Sequence, residues 1–210
     1  MHVGIDLDNT LICYDQVFGS IGVDLGILPA SMATATKLLV REHIRGLEDG
    51  ERQWMRLQGQ AYGRFLERAE LMAGAAECLR QLRDAEARIS IVSHKTRFGH
   101  FDEARINLHD AATAWLESKG FFAPEGFGFR PEDVCYALTR EEKIAKIAEL
   151  RCDIFIDDLP EVLLHPMFPA QVRRILFGEA KGEKGLDAYG SWASIASSLM
   201  SGLGAVRDRS

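Results

Sequence analysis

The sequence predicts an α/β fold built on a parallel sheet. Three observations predict it. Short apolar, β-branched runs recur along the chain, stretches of helical periodicity separate them, and three of the runs end in sharp polar clusters. Strands alternating with helices join by right-handed crossovers, which make neighbouring strands parallel.

The first run, residues 2–7 (HVGIDL), meets Asp8-Asn9-Thr10. Residues 88–92 (RISIV) meet Ser93-His94-Lys95-Thr96. Residues 134–138 (VCYAL) form a third strand, 152–156 (CDIFI) a fourth that meets Asp157-Asp158, and 173–177 (RRILF) a fifth. Helical spacing covers Ser31 to about Leu47, Glu51 to about Leu71, Ala75–Arg83, His109–Ser118 and Arg140–Leu150. Thr139, three residues before Glu142, fits a capping box opening the last of these. The end from Ser197 is small and polar and is expected to fray, with 201–210 as a flexible tail.

The chain has 210 residues, 47% of them hydrophobic, with 11 Phe. That supports one ordinary domain with a small subdomain and excludes a disordered chain or a disulfide-stapled miniprotein. A net charge of -6 lacks the clustered cations that nucleic acid or an anionic membrane demands, so neither partner is expected. No apolar run approaches the ~20 residues of a membrane helix. The start MHVGIDLDNT has no basic segment followed by a long apolar one, so no signal peptide is expected. Cys13, Cys78, Cys135 and Cys152 form no CxxC pair and match no zinc spacing. Reduced thiols and a cytoplasmic location are the expectation.

One interval breaks the rhythm. About 80 residues separate the first two strands, far more than one crossover helix needs. The excess, 15–73, is expected to be an inserted helical subdomain, with 1–14 and 74–200 as the core. Ligands of open parallel sheets sit beyond the carboxyl ends of the strands. An insertion leaving the first strand there would act as a lid.

Asp6 and Asp8 stand two apart at a strand end, and Asp157-Asp158 end another. Four neighbouring carboxylates repel unless a cation joins them. A hard divalent ion with oxygen ligands, most often Mg2+, answers that need without histidine or cysteine. His100, His109 and His165 lack partners at ligand spacing and read as ordinary histidines.

With GIDLDNT, ISIVSHK, TREEKIAKI and FIDDLPEV in this order, the sequence resembles the haloacid dehalogenase-like (HAD) superfamily over residues 2 to about 178. The resemblance implies a Rossmannoid three-layer sandwich with a C1-type helical cap at 15–73. It implies a Mg2+-dependent phosphohydrolase acting on a small phosphate monoester. Asp6 would be the nucleophile forming an aspartyl-phosphate, and Asp8 the general acid and base. Ser93 would bind a phosphoryl oxygen, and Lys143 would neutralise charge on nucleophile and phosphoryl group. Lys146 competes for the lysine role; Lys143 is preferred because phosphate should face a first helical turn. Asp6, the Asp8 main-chain carbonyl and Asp157, Asp158 or both would hold Mg2+. Thr10 would tie the loop after the nucleophile. His94 and Lys95 are candidates for substrate contact or for a solvated loop. A phosphotransferase of the mutase kind and a non-catalytic phosphate binder remain alternatives. Asp8 disfavours dehalogenation, and nothing marks Lys37 as an activated cap amine.

Substrate choice is expected within 15–73. Gln58 and Tyr62 lie four apart on one helix face and offer polar and stacking contacts. Trp54 fits packing better. Gly59 and Gly63, each disfavoured in a helix by ~1 kcal/mol, imply a close backbone approach to the core or to a ligand.

Overall fold

Parallel strands covered on both faces read as continuous apolar runs, and all five such runs join one sheet. The computed structural model describes residues 1–179 and 185–207. Along them lie β1 (His2–Ile5), β2 (Ile12–Cys13), α1 (Val17–Asp24), α2 (Lys37–Arg45), α3 (Gly50–Tyr62), β3 (Glu70–Leu71), α4 (Ala75–Asp84) and β4 (Arg88–His94). There follow α5 (Leu108–Ser118), β5 (Val134–Ala137), α6 (Arg140–Leu150), β6 (Ile154–Asp157), α7 (Pro160–Leu163), β7 (Arg173–Phe177), β8 (Asp187–Tyr189) and α8 (Trp192–Arg207).

The described chain forms two compact units. One comprises Met1–Ile12, Leu71–Lys95 and Gly120–Ser210; the other comprises Cys13–Glu70 and Thr96–Lys119. The second unit therefore contains 96–119 as well as most of the segment 15–73. β2 and β3 pair as a short ribbon where the chain passes between units.

The first unit is a Rossmannoid α/β sandwich. Its six strands run in the order β5-β4-β1-β6-β7-β8, all parallel. α4 packs on β4, α6 on β4 and β5, and α8 on β8 and α4. The chain moves outward from β1 through β4 to β5, then returns to β6 on the other side of β1. Strand order thus reverses at β1, the kind of switch point beyond whose carboxyl end open parallel sheets hold their ligands.

Val92, Ile144, Ile147, Phe155, Leu163 and Leu176 form part of one buried cluster. Gly4 lets β1 pass Phe155: a Cβ there would lie 2.5 Å from Phe155 Cδ2 and 2.9 Å from Cys152 Sγ. His2 anchors the start of β1, its ring bridging Ser90 Oγ at 2.9 Å and Leu150 O at 3.0 Å.

The second unit is helical. Phe18 stacks on Trp54 at 5.1 Å between centroids, and Tyr14 meets Tyr62 edge-on at 5.0 Å. Trp54 is buried packing, as its sequence context indicated. Gly59 and Gly99 approach so closely that a Cβ on Gly99 would sit 2.5 Å from the Gly59 Cα. The close approach expected at Gly59 is therefore made to the 96–107 segment of the same unit.

Several sequence boundaries shift. α1 lies where the sequence predicts no element, because VFGSIGVD carries two glycines and no amphipathic stripe. α2 starts at Lys37 rather than Ser31, with Thr36 Oγ1 capping Leu39 N. α3 stops at Tyr62 because Gly63 leaves helical geometry. β4 runs through Ser93 and His94, residues read from sequence as loop. Thr139 caps α6 through Glu142 N at 3.1 Å, but Glu142 returns its carboxylate to Leu138 N, one residue before the cap. The frayed end expected from Ser197 is helical as far as Arg207, since Trp192, Ile195 and Leu199 bury one face of α8. The rest of that expectation, 208–210, lies outside the described residues. No helix among the described residues is long and apolar enough to cross a membrane.

Gly4→Ala is expected to destabilise by about 1–3 kcal/mol, because both neighbours are packed side chains. A urea titration of variant and parent measures it; equal midpoints would show that Phe155 yields freely.

Candidate active site

Three adjacent strands deliver the site. β1 hands on Asp6, whose N–H still bonds Ile156 O at 2.8 Å. β6 ends on Asp157, and β4 carries Ser93. α6 places Lys143 one turn inside its cap. All four side chains are buried.

Lys143 Nζ donates to Asp6 Oδ1 and Asp157 Oδ2, each at 2.6 Å. These are charge-assisted bonds between buried side chains, about twice as strong as neutral ones. Thr10 Oγ1 donates to the other Asp6 oxygen at 3.3 Å. Thr10 is itself held, since its carbonyl accepts from Trp192 Nε1 at 2.9 Å. Asp157 Oδ1 accepts from Leu159 N at 3.0 Å. The nucleophile candidate is thereby fixed by two side chains and the sheet.

Burial pushes the Asp6 pKa up to about 8. Lys143 opposes that rise, while Asp157, Asp158 and Asp8 add to it. Burial also works against the charge on Lys143, but Asp6 and Asp157 outweigh it and hold that pKa above the ordinary lysine value. Lys143 is one ammonium facing the carboxyl groups of Asp6 and Asp157, with Asp158 beside them.

Asp6, Asp157 and Asp158 each offer an oxygen, and those oxygens lie within 4.8 Å of one another. An all-oxygen anionic donor set suits a hard divalent cation such as Mg2+. The Asp8 carboxylate goes elsewhere: Lys95 Nζ contacts its Oδ2 at 2.7 Å and Oδ1 at 3.0 Å. The sequence showed Lys95 as a substrate contact or a solvated loop residue; it is buried, so it is not the latter, and its pairing with Asp8 joins residues 87 apart and left no local signal.

Ser93 Oγ is buried with no hydrogen-bond partner. A hydroxyl left so costs about 1–3 kcal/mol. An incoming anion would satisfy it. His94 points away and is exposed, its ring 3.2 Å from Leu138 O. Lys146 is partly exposed and pairs with Glu149 at 2.6 Å, so Lys143 alone of the two candidates reaches the carboxylates.

In the helical unit, Gln58 and Tyr62 line one cavity of about 200 Å3, with Met55, Thr96, His100 and Leu108. Lys37 Nζ donates to Tyr62 Oη at 2.9 Å and lies 5.3–5.6 Å from the ring centres of Phe18, Tyr62 and Tyr14.

No protein-family model matches the chain, and no curated relative does. Solved structures do match over nearly its whole length. A HAD hydrolase of family IA, variant 3, from Entamoeba histolytica is 14% identical, with a TM-score of 0.58, over 96% of this chain and 98% of that one. A HAD-superfamily hydrolase from Ehrlichia chaffeensis is 14% identical, with a TM-score of 0.56, over 95% and 96%. A HAD family hydrolase from Deinococcus radiodurans, solved with bound phosphate and sodium, is 15% identical, with a TM-score of 0.53, over 96% of each. The chain has the fold of HAD-superfamily hydrolases.

The raised Asp6 pKa has a thermodynamic consequence. A folded pKa of about 8 against an unfolded one near 3.8 means the folded state holds the extra proton between those values. Stability from Asp6 is then complete below about pH 4 and lost as pH rises through about 8. Asp6→Asn has no such loss. In chelator, the melting temperature of Asp6→Asn relative to the parent should climb from pH 5 to pH 8. A flat difference would place Asp6 at an ordinary carboxylate pKa.

Proposed function

We propose that this protein is a divalent-cation-dependent phosphohydrolase, acting on a small phosphate monoester through an aspartyl-phosphate on Asp6. The observation that carries this reading is the convergence of Asp6, Lys143, Asp157 and the unpartnered Ser93 Oγ at the carboxyl ends of three adjacent strands. Support comes from the HAD-hydrolase fold and from the phosphate bound in the Deinococcus radiodurans neighbour.

Asp6 attacks phosphorus with one carboxylate oxygen. A new Asp6 O–P bond forms as the ester P–O bond breaks. Asp8 gives its proton to the departing oxygen, which leaves as the alcohol. Water then attacks the same phosphorus, returns a proton to Asp8 and displaces Asp6, releasing inorganic phosphate. One residue serves both halves because each restores the protonation state that the other needs.

Lys143 holds Asp6 in place and offsets negative charge on the transferring group. Ser93 Oγ donates to a phosphoryl oxygen. Asp6, Asp157, Asp158 and the Asp8 main-chain carbonyl would hold Mg2+, which supplies charge neutralisation between nucleophile and phosphate when bound. Lys143 Nζ donates to Asp6 and Asp157, so a cation held there would share those carboxylates with the lysine. The organic group of the substrate is small.

Inorganic phosphate release from a panel of phosphate esters, with Mg2+ and with chelator, tests the proposal. The parent should release phosphate only with Mg2+, and Asp6→Asn should lose at least about 1000-fold, as expected when a covalent nucleophile is removed. Lys143→Met should lose a comparable factor. Ester binding without turnover by a metal-loaded parent would replace this reading with a binding function.

A further inference from the structure

Lys95 lies outside the machinery described so far, yet it is buried as deeply as the central groups. Its side chain is 2% exposed and meets both oxygens of Asp8. Its backbone is equally fixed. Lys95 N bonds Ala137 O at 2.9 Å, extending the β4–β5 ladder one residue past His94. Side chains alternate along a strand, so Ser93 and Lys95 share a face while His94 takes the other. The burial pattern agrees: Ser93 and Lys95 are buried and His94 is exposed.

Asp8 stands differently. It sits past the end of β1, in a turn where Leu11 N and Ile12 N both bond Leu7 O and Asn9 takes a left-handed φ of 60°. That turn fixes its backbone but leaves two side-chain torsions. An ammonium touching only one carboxylate oxygen would allow the group to spin. One touching both, at 2.7 and 3.0 Å, ties the two oxygens to a single point, and turning the carboxylate would break at least one contact. Because the long Lys95 chain is itself buried, this contact carries little motional freedom.

We propose that Lys95 is a positioning residue that fixes the orientation of the Asp8 carboxylate for proton transfer. The proposal rests on the phosphohydrolase reading of Asp8. Lys143 orients the nucleophile, and Lys95 does the same for the acid–base group. An acid–base residue must lie within hydrogen-bond reach of its target atom, and an ångström of misplacement costs about 100-fold. Lys95 acts through Asp8, so its loss should fall on turnover rather than on substrate affinity.

The test uses the ester that the parent turns over fastest, with Mg2+, and the variants Lys95→Met, Lys95→Arg, Asp8→Asn and the double variant Asp8→Asn/Lys95→Met. Lys95→Met should lower kcat about 100-fold with KM within about 3-fold of the parent. Lys95→Arg keeps a cation able to meet two carboxylate oxygens and should recover most of that loss. In the Asp8→Asn background, Lys95→Met should cost less than about 3-fold more, because residues acting as one unit do not lose additively. Thermal unfolding of the double variant, in which neither charge is left unpaired, separates lost turnover from lost fold.

A raised KM with kcat intact would overturn the proposal and make Lys95 a substrate contact. Full multiplicative losses in the double variant would overturn it as well, by separating Lys95 from Asp8. An active parent with either result leaves the phosphohydrolase reading standing. A folded, metal-loaded parent that releases phosphate from no ester overturns that reading and this role with it.

Discussion

Everything at the strand ends depends on how one buried ammonium is shared. Asp6 and Asp157 come from adjacent strands of a parallel sheet, so the register that pairs β1 with β6 also forces their carboxylates together. Ionised together at that spacing they would repel, and desolvation adds to the penalty, which is why the Asp6 pKa is raised. Lys143 contacts both at 2.6 Å and makes the arrangement tenable. Removing one partner of such a buried pair leaves an uncompensated charge, which is costly by about 3–5 kcal/mol. The helix that carries Lys143 is held by its own cap at Thr139 and by the apolar face that buries Ile144 and Ile147. Packing of α6 and the chemistry of the site are thus one constraint.

The site departs from ordinary packing in two ways, and both point toward a ligand. Ser93 Oγ is buried without a partner, and the carboxylates outnumber the ammonium that serves them. Natural chains satisfy nearly all buried polar groups, and exceptions concentrate where function needs them. A divalent cation would answer the excess of negative charge, and the oxygen of a bound anion would answer the hydroxyl. Asp8 is managed separately, by Lys95, so the two acidic residues of the first motif live in different electrostatic settings although only Leu7 lies between them.

Much of this was legible in the sequence. The parallel sheet followed from apolar runs alternating with helices; Asp6, Ser93 and the Asp157–Asp158 pair were marked as candidates by polar clusters at the ends of those runs, and Lys143 by the resemblance of TREEKIAKI to a family motif. Preferring Lys143 to Lys146 needed only the argument that a group serving the site belongs in the first turns of a helix. Less was legible where the signal is not periodic. α1 lacks a polar face, and β8 is short and half-buried with only three residues. The Gly59–Gly99 approach pairs two residues that local spacing cannot connect. In α8, small polar residues disguised a helix anchored by Trp192.

Local patterning determined which residues are strand, which are helix and which carry reactive groups, because periodicity and turn chemistry act over a few residues. Tertiary structure alone decided who partners whom. That Lys143 bridges Asp6 and Asp157, that Lys95 is spent on Asp8, and that Ser93 is left without a partner all follow from strand order and helix placement. Those contacts span 14, 87 and 137 residues of chain. Hydrogen bonding and charge neutralisation act through space, and only the folded chain sets those distances.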